Sequence, residues 1–346
     1  MTAQQLETCS MELVEARHRV SQAVRSDLSA AGFLEVTTPL VTPFPEICPN
    51  PQFVTEHPNS RQRGYLRVAP TEFLKRLLVC GATRIFEFST NVRSENVDPT
   101  HLPEFSSLEA MSVNSSAIDM ALLTERLVRL ALRIAGHAEN RRYTPPGSTR
   151  MYDLAAPWPR LSLPDILADR FDTSRDDLFN PHSVAEIALA LGAKIDVAST
   201  DLPTMADEIV TALAKTYDTP VFIGEYPRYL GGPAKPAPDA RFKERLELFV
   251  GSLEMANMSS TMTDASLLRA WHTEMYQLKQ TKGVSTNAID EPLLASVQLG
   301  LPDSAVLGMG LERLLMVAFD VPDIRQVRMF NWGELFINSN EVKRHE

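Results

Sequence analysis

Cysteine is scarce in this 346-residue chain: Cys9, Cys48 and Cys80 are three, odd in number and far apart. They make neither a disulfide framework nor a C-x-x-C metal site, which fits a reducing compartment. Long apolar runs are missing too. No stretch approaches the roughly 18 apolar residues of a membrane span. The start, MTAQQLETCS, lacks the basic region and apolar core of a secretion signal. A cytoplasmic protein without membrane insertion is therefore expected. Positive charge is in deficit, with 34 Lys and Arg against 44 Asp and Glu, a net −10. That balance promotes solubility and gives no broad cationic surface for a polyanion, while leaving room for a local basic groove. Internal repeats and low-complexity tracts are absent as well. What remains is 44% hydrophobic and 23% charged, enough to bury a sizeable core in one large or two ordinary domains.

The most informative stretch is 84–113, RIFEFSTNVRSENVDPTHLPEFSSLEAMSV, which reads as two strands joined by a polar loop. Alternation puts Glu87, Ser89, Asn91, Arg93 and Glu95 on one face of the first strand. On the second it groups Phe105, Ser107, Glu109, Met111 and Val113. Such a surface offers an arginine, carboxylates and an aromatic ring, a mixture suited to an anionic, ring-bearing ligand such as a nucleotide. A solvated hairpin with alternating charges has the same pattern. The loop 94–104 is long for a hairpin, and long loops tend to be functional or disordered.

A second hairpin is predicted at 244–258 around the two-residue turn Gly251-Ser252. A tight turn there pairs Val250 with Leu253 and Phe249 with Glu254. Glu247 and Glu254 then project from the same side. Two carboxylates that close repel unless a cation separates them, and a hard divalent ion is one candidate. Exposed glutamates relaxed in water are the other reading. Strict alternation sends Asn257 to the face opposite Glu254, unless a bulge near Met258-Ser259 brings it round. Further on, DSAVLGMGLER reads as a strand ending at Gly308 and a helix starting near Gly310. Glycines there let a ligand approach the backbone, and the helix start favours phosphate. Arg313 in the first turn opposes the helix dipole, so an anion meeting it would explain its placement.

These segments resemble a known family. F-E-x5-R-x-E, a loop with a histidine, then P-E-F-x-x-x-E is similar to motif 2 of the class II aminoacyl-tRNA synthetases, nearest their lysyl branch. GMGLER resembles motif 3. The helix 11–31, ended by Gly32, with the strand and proline bend GFLEVTTPLVT resembles motif 1, which in that family builds a homodimer interface. The resemblance covers about 11–332. It implies an α+β fold, a mostly antiparallel sheet flanked by helices, with a helical insertion at about 155–218 between motifs 2 and 3. It also implies one catalytic domain over 1–346, a tail at 333–346, and no anticodon-reading barrel before it. Free-standing relatives include the ligase that lysylates elongation factor P and an asparagine synthetase.

The implied chemistry is amino-acid activation with ATP and Mg²⁺. In that reading Arg93 aligns the carboxylate and α-phosphate, and Arg313 and His101 hold the outer phosphates. Phe105 stacks on adenine, Glu95 accepts from its amino group, and Glu247 and Glu254 hold Mg²⁺. The amino acid would lie against Thr71, Glu109, Met111, Asn257, Thr261 and Gly308. Glu109 matches a glutamate that recognises the lysine ammonium. Three positions depart from the lysine pattern: Thr71 and Thr261 replace glutamates and Met111 an aromatic. Ordinary lysine is therefore expected to be a poor substrate. Gly308 agrees with the tRNA enzymes where the elongation factor P ligases carry alanine. The acceptor stays open: a protein such as elongation factor P, a carrier thiol or a small amine, with tRNA less favoured. A truncated tRNA-charging enzyme and a non-catalytic sensor are the alternatives.

The remaining expectations are local. YLRVAPTEFLKRLLVCG gives a strand at 65–69 and a helix at 71–80 with Thr71 as its N-cap. An amphipathic helix is predicted at 118–135, and further helices at 263–282 and 290–299. The segment 43–64 is read as irregular, 139–148 as a connector, and 231–238, GGPAKPAP, as a plain surface loop or an active-site cover.

Overall fold

A computed structural model describes residues 11–46, 52–136, 142–281 and 289–330. The expected tail at 333–346, the first residues of the connector, Cys9 and Cys48 lie outside the described residues.

In chain order the first elements are α1 (Met11–Ala30), β1 (Leu34–Glu35), β2 (Val41–Thr42), β3 (Val54–Glu56), β4 (Arg63–Leu66) and α2 (Thr71–Val79). The first hairpin follows as β5 (Arg84–Val92) and β6 (Glu104–Val113), then α3 (Ala117–Ile134) and the short β7 (Arg142–Tyr143), β8 (Tyr152–Asp153) and β9 (Arg160–Ser162). The helical insertion comprises α4 (Leu163–Phe171), α5 (Pro181–Ala190) and α6 (Leu202–Ala214). Next come β10 (Val221–Pro227), the second hairpin β11 (Phe242–Val250) and β12 (Leu253–Ser260), then α7 (Ala265–Thr281) and α8 (Glu291–Gln298). The chain closes with β13 (Ser304–Gly310), α9 (Leu311–Phe319) and α10 (Ile324–Val327).

Eight strands form the main sheet in the order β1-β5-β6-β13-β12-β11-β10-β9. Pairing is antiparallel except at the two edges, β1 with β5 and β9 with β10. Alternation explains the layers. Phe86, Leu108, Leu246, Leu248, Met258 and Leu307 bury one face against α1, α3 and α9. On the opposite face two separate apolar clusters form. At one place Ile85 and Met111 meet Leu74 and Leu78 of α2, Leu268 of α7 and Leu293 of α8. At another, Val221, Ile223 and Phe249 are covered by α4, α5 and α6. The polar residues that alternation groups on the two hairpins lie between these clusters.

Helix ends follow their capping residues. Ser116 and Asp119 make a reciprocal capping box at the start of α3. Gly32 follows α1 at φ +81°, a conformation that glycine adopts without strain. At the start of α9 the buried Glu312 accepts from the Ser106 N–H at 2.9 Å, from Arg17 at 3.1 Å and from Arg328 at 3.0 Å. One carboxylate thus ties α1, β6 and the segment after α10 to the helix that carries Arg313. No helix among the described residues is long and apolar enough to cross a membrane.

Several local expectations are corrected. Thr71 is not an N-cap: Pro70 holds that position, without a side-chain cap, and Thr71 is the first helical residue. The strand after Gly32 shrinks to two short pieces, since Pro39 has no N–H for a continuous ladder. The strand expected at 65–69 sits at Arg63–Leu66, and the strand of the glycine motif runs on to Gly310 rather than stopping at Gly308. The loop at 231–238 is tied down rather than hanging free. Lys235 N–H donates to Ser260 O, Glu244 N–H to Lys235 O and Ala237 N–H to Phe242 O.

Candidate active site

One row of side chains crosses five strands on the polar face. Glu87 lies opposite Glu109, Glu109 opposite Gly308, Gly308 opposite Asn257, and Asn257 opposite Glu247. The row joins the two hairpins through β13, which sits between them. A bulge makes the join possible. The β11–β12 register shifts between Leu248 and Phe249, so Met255 is the extra residue. A bulge was needed to bring Asn257 round, and it lies three residues before the expected place. Asn257 Nδ2 donates to Glu247 Oε1 at 3.0 Å.

The carboxylates of the row have different partners. Glu87 is locked by Arg67 at 2.9 Å and by the Thr38 hydroxyl at 2.7 Å, so it supports the platform. Glu109 accepts from Ser107 at 3.1 Å, and Ser107 itself is met by Ser89 and by the Asn91 amide. Burial pushes the Glu109 carboxyl up to about 7. A Cβ on Gly308 would sit 3.0 Å from both Glu109 oxygens. Gly308→Ala is therefore expected to displace Glu109 and raise the KM for the amino acid about tenfold, with little effect on ATP binding. Exchange kinetics at saturating ATP check this.

Arg93 follows the end of β5. Its backbone N–H donates to Pro103 O at 2.8 Å, and its guanidinium lies 4.8 Å from the Phe105 ring centroid. Arg313, in the first turn of α9, reaches across to the motif 2 loop at Thr100 and His101. Arg93 and Phe105 thus meet at the foot of the first hairpin, and Arg313 meets the loop that joins its strands. The Glu95 N–H closes a tight turn onto Arg93 O at 2.9 Å.

Glu247 is deeply buried and bound on both oxygens. Arg245 and Asn257 donate to Oε1, and the Tyr226 hydroxyl donates to Oε2 at 2.8 Å. Each carboxylate oxygen can accept twice, so one lone pair on Oε2 is left over. Glu254 is about two-fifths exposed, with Arg313 3.9 Å from its Oε2. Burial, outweighing Arg245 and reinforced by Glu254, pushes Glu247 up to about 7. The lone pair left over on Oε2 is what a divalent ion could take up beside the Arg245 pair. Among the described residues no group of three His, Cys, Asp or Glu side chains could enclose a metal. Mg²⁺ here would take oxygens from phosphates and water besides the two glutamates, as that ion usually does.

Of the positions expected to face an amino acid, Thr71 opens α2 and Thr261 is buried with its hydroxyl unpartnered. Glu72, one place after Thr71, is paired with Lys75 at 3.1 Å. Met111 is wholly buried in the apolar cluster with Ile85 and Leu74, so it can shape the site only from beneath. Sequence reasoning missed Glu46. Its carboxylate accepts from the Val68 N–H at 2.9 Å, within electrostatic range of Arg93 and Glu72, and burial pushes it up to about 8. Arg245 and Tyr226 were missed too. Arg245 was findable, since it shares a strand face with Glu247 two residues on.

These carboxyls imply a pH effect on stability. Glu46, Glu109 and Glu247 are raised from a usual value of 4.5. Their contribution is fully present below the unfolded value and lost as pH rises through 7 to 8. The ligand-free protein should become less stable by about a few kcal/mol as pH rises from about 5 to 7. Each tenfold difference in proton affinity between folded and unfolded chain is worth at most about 1.4 kcal/mol. Scanning calorimetry would show Tm falling across that window. Above pH 7 the buried Lys243, lowered to about 7, begins to act in the opposite sense.

Residues 5–332 match the family described as tRNA synthetases class II (D, K and N). The chain is 30% identical over 322 residues to the lysine–tRNA ligase of Chloroflexus aurantiacus, covering 92% of this chain and 64% of that protein. It is 30% identical over 324 residues to the lysine–tRNA ligase of Yersinia pestis strain Pestoides F, covering 93% and 63%. It thus spans just under two thirds of the length of these curated relatives. With the family matched over nearly its whole length, the chain belongs to the class II tRNA synthetases (D, K and N), on their lysyl branch.

Proposed function

We propose that this chain is an AMP-forming ligase. It activates an amino acid with ATP and passes the acyl group to a non-tRNA acceptor: a protein lysine, a carrier thiol or a small amine. The observation that supports it most is the row Glu87–Glu109–Gly308–Asn257–Glu247, bordered by Arg93 and Arg313. In this reading an amino-acid carboxylate oxygen attacks the α-phosphorus of ATP. The bond from that phosphorus to the bridging oxygen breaks, and pyrophosphate leaves with the electron pair. No side chain needs to act as nucleophile, so positioning and electrostatics carry the catalysis.

Arg93 draws the two anions together and stabilises charge on the α-phosphate. Phe105 supplies an aromatic face for adenine, with Glu95 accepting from the exocyclic amine. Arg313 and His101 hold the outer phosphates. Glu247 and Glu254 would hold Mg²⁺, which would supply charge neutralisation for pyrophosphate. Glu109 provides a carboxyl for a cationic group of the amino acid, with Thr71, Asn257, Thr261 and Gly308 shaping the space. Two copies would join through α1 and the strands after it, where Leu34, Leu40, Val41 and Val54 are exposed. We take the chain as one cytoplasmic catalytic unit with the helical insertion on its face.

A second reading, aminoacylation of a tRNA, is favoured by the names of the relatives. The net charge of −10 favours the first. Incubation with ATP, Mg²⁺ and pooled amino acids should release AMP only when an acceptor is added. Mass spectrometry of the products then separates the readings, and label on tRNA alone would overturn the first. Lysine in that pool is expected to bind weakly. Each missing carboxylate pair costs on the order of 3–5 kcal/mol in a buried setting. Calorimetry that found tight lysine binding would contradict this.

A further inference from the structure

Arg313 Nη2 lies 3.1 Å from His101 Nε2. A guanidinium carries only N–H donors, so the contact is attractive only if Nε2 bears a lone pair. His101 is then neutral, with its proton on Nδ1. That nitrogen faces Asp98 at 2.9 Å, and the carboxylate accepts the proton's hydrogen bond. Asp98 is itself fixed, because Thr100 donates to it through its backbone N–H at 2.7 Å and its hydroxyl at 2.8 Å. The outer side of the loop rests on α10, where the Ile324 N–H donates to Pro99 O at 2.9 Å. Asp323 and Arg325 there lie within electrostatic range of Asp98.

The remaining contacts of Arg313 are of one kind. Nη1 donates to Glu254 O at 2.6 Å, while Nε and Nη2 donate to Thr100 O at 3.4 and 3.3 Å. Backbone carbonyls and a neutral imidazole orient the guanidinium while cancelling little of its charge. The Glu254 carboxylate stands off at 3.9 Å. An oriented cation with most of its charge unspent is ready for an anion.

We propose that Asp98 is a positioning residue: it fixes the Nδ1–H tautomer of His101, which presents Nε2 to Arg313 and holds that cation where the end of a triphosphate would meet it. The nucleotide half rests on the function proposed above; the tautomer half does not. Without Asp98 the Thr100 hydroxyl, 2.9 Å from Nδ1, can donate to that nitrogen, and the imidazole then carries its proton on Nε2, which aims a donor at a donor and drives Arg313 away.

Long-range proton–nitrogen spectra of the full-length ¹⁵N-labelled chain read the tautomer directly, with His101→Gln identifying the signals. The wild type should show Nδ1–H at His101, and Asp98→Ala should move the population to Nε2–H. Asp98→Asn keeps an acceptor oxygen and the Thr100 turn, so it should retain Nδ1–H. By calorimetry Asp98→Ala should weaken MgATP about tenfold while leaving AMP unchanged, and Asp98→Asn should recover most of the loss. A merely structural loop defect would weaken ATP and AMP alike, and that result overturns the proposal. So does a wild-type His101 protonated on Nε2, or nucleotide affinities that the Ala variant leaves untouched. Wild-type protein that binds neither nucleotide would sink the ATP-site reading, while the spectra would still decide the role of Asp98.

Discussion

Arg93→Ala should reduce pyrophosphate exchange by at least about a hundred- to a thousandfold, the usual cost of removing one preorganised donor to a developing oxyanion. The protein should stay folded, because Arg93 is only partly buried and its side-chain contact is the Phe105 ring at 4.8 Å. Arg93→Lys should recover a fraction of the activity. A lysine restores the charge but not the planar fork that can grip a carboxylate and a phosphate oxygen together. Exchange kinetics with a thermal melt on the same samples separate catalysis from folding. Undiminished exchange in the alanine variant would remove the site assignment.

Glu247 should give the second large effect, divided between stability and catalysis. Its carboxylate is the acceptor for Arg245, Tyr226 and Asn257. Glu247→Ala leaves Arg245 buried with an unmatched charge, at a cost of about 3–5 kcal/mol. Burial also pushes the Tyr226 phenol well up, so that hydroxyl stays a donor and would lose its acceptor. Glu247→Gln keeps an oxygen for these donors and should melt within a few degrees of the wild type. It nonetheless removes the charge that would face Mg²⁺, so exchange should fall about a hundredfold and need more metal. If the glutamine variant kept full exchange at low Mg²⁺, Glu247 would be a structural residue alone.

How much of this was legible follows from the range of each signal. Both hairpins were, because alternation is local and Gly251-Ser252 marks the turn; the observed pairs Val250–Leu253 and Phe249–Glu254 are the expected ones. The insertion of β13 between the hairpins is long-range, and no short window of sequence contains it. The bulge at Met255 leaves no residue signature, so Asn257 was sent to the wrong face by strict alternation. Glu46 sits in a proline-rich stretch without periodicity, so its approach to Arg93 is visible only in the fold. Tyr226 belongs to a short apolar run, Val221–Pro227, that reads equally well as strand or helix. The motif 2 loop stands out in the sequence by its length, yet the hydrogen bonds from Arg313 to His101 and from His101 to Asp98 depend on the position of α9.

The most direct measurement is exchange of labelled pyrophosphate into ATP, taken one amino acid at a time, with and without Mg²⁺. Exchange should depend on both a particular amino acid and the metal, before any acceptor is present. No exchange with any amino acid, from protein that is folded and binds ATP, would contradict this.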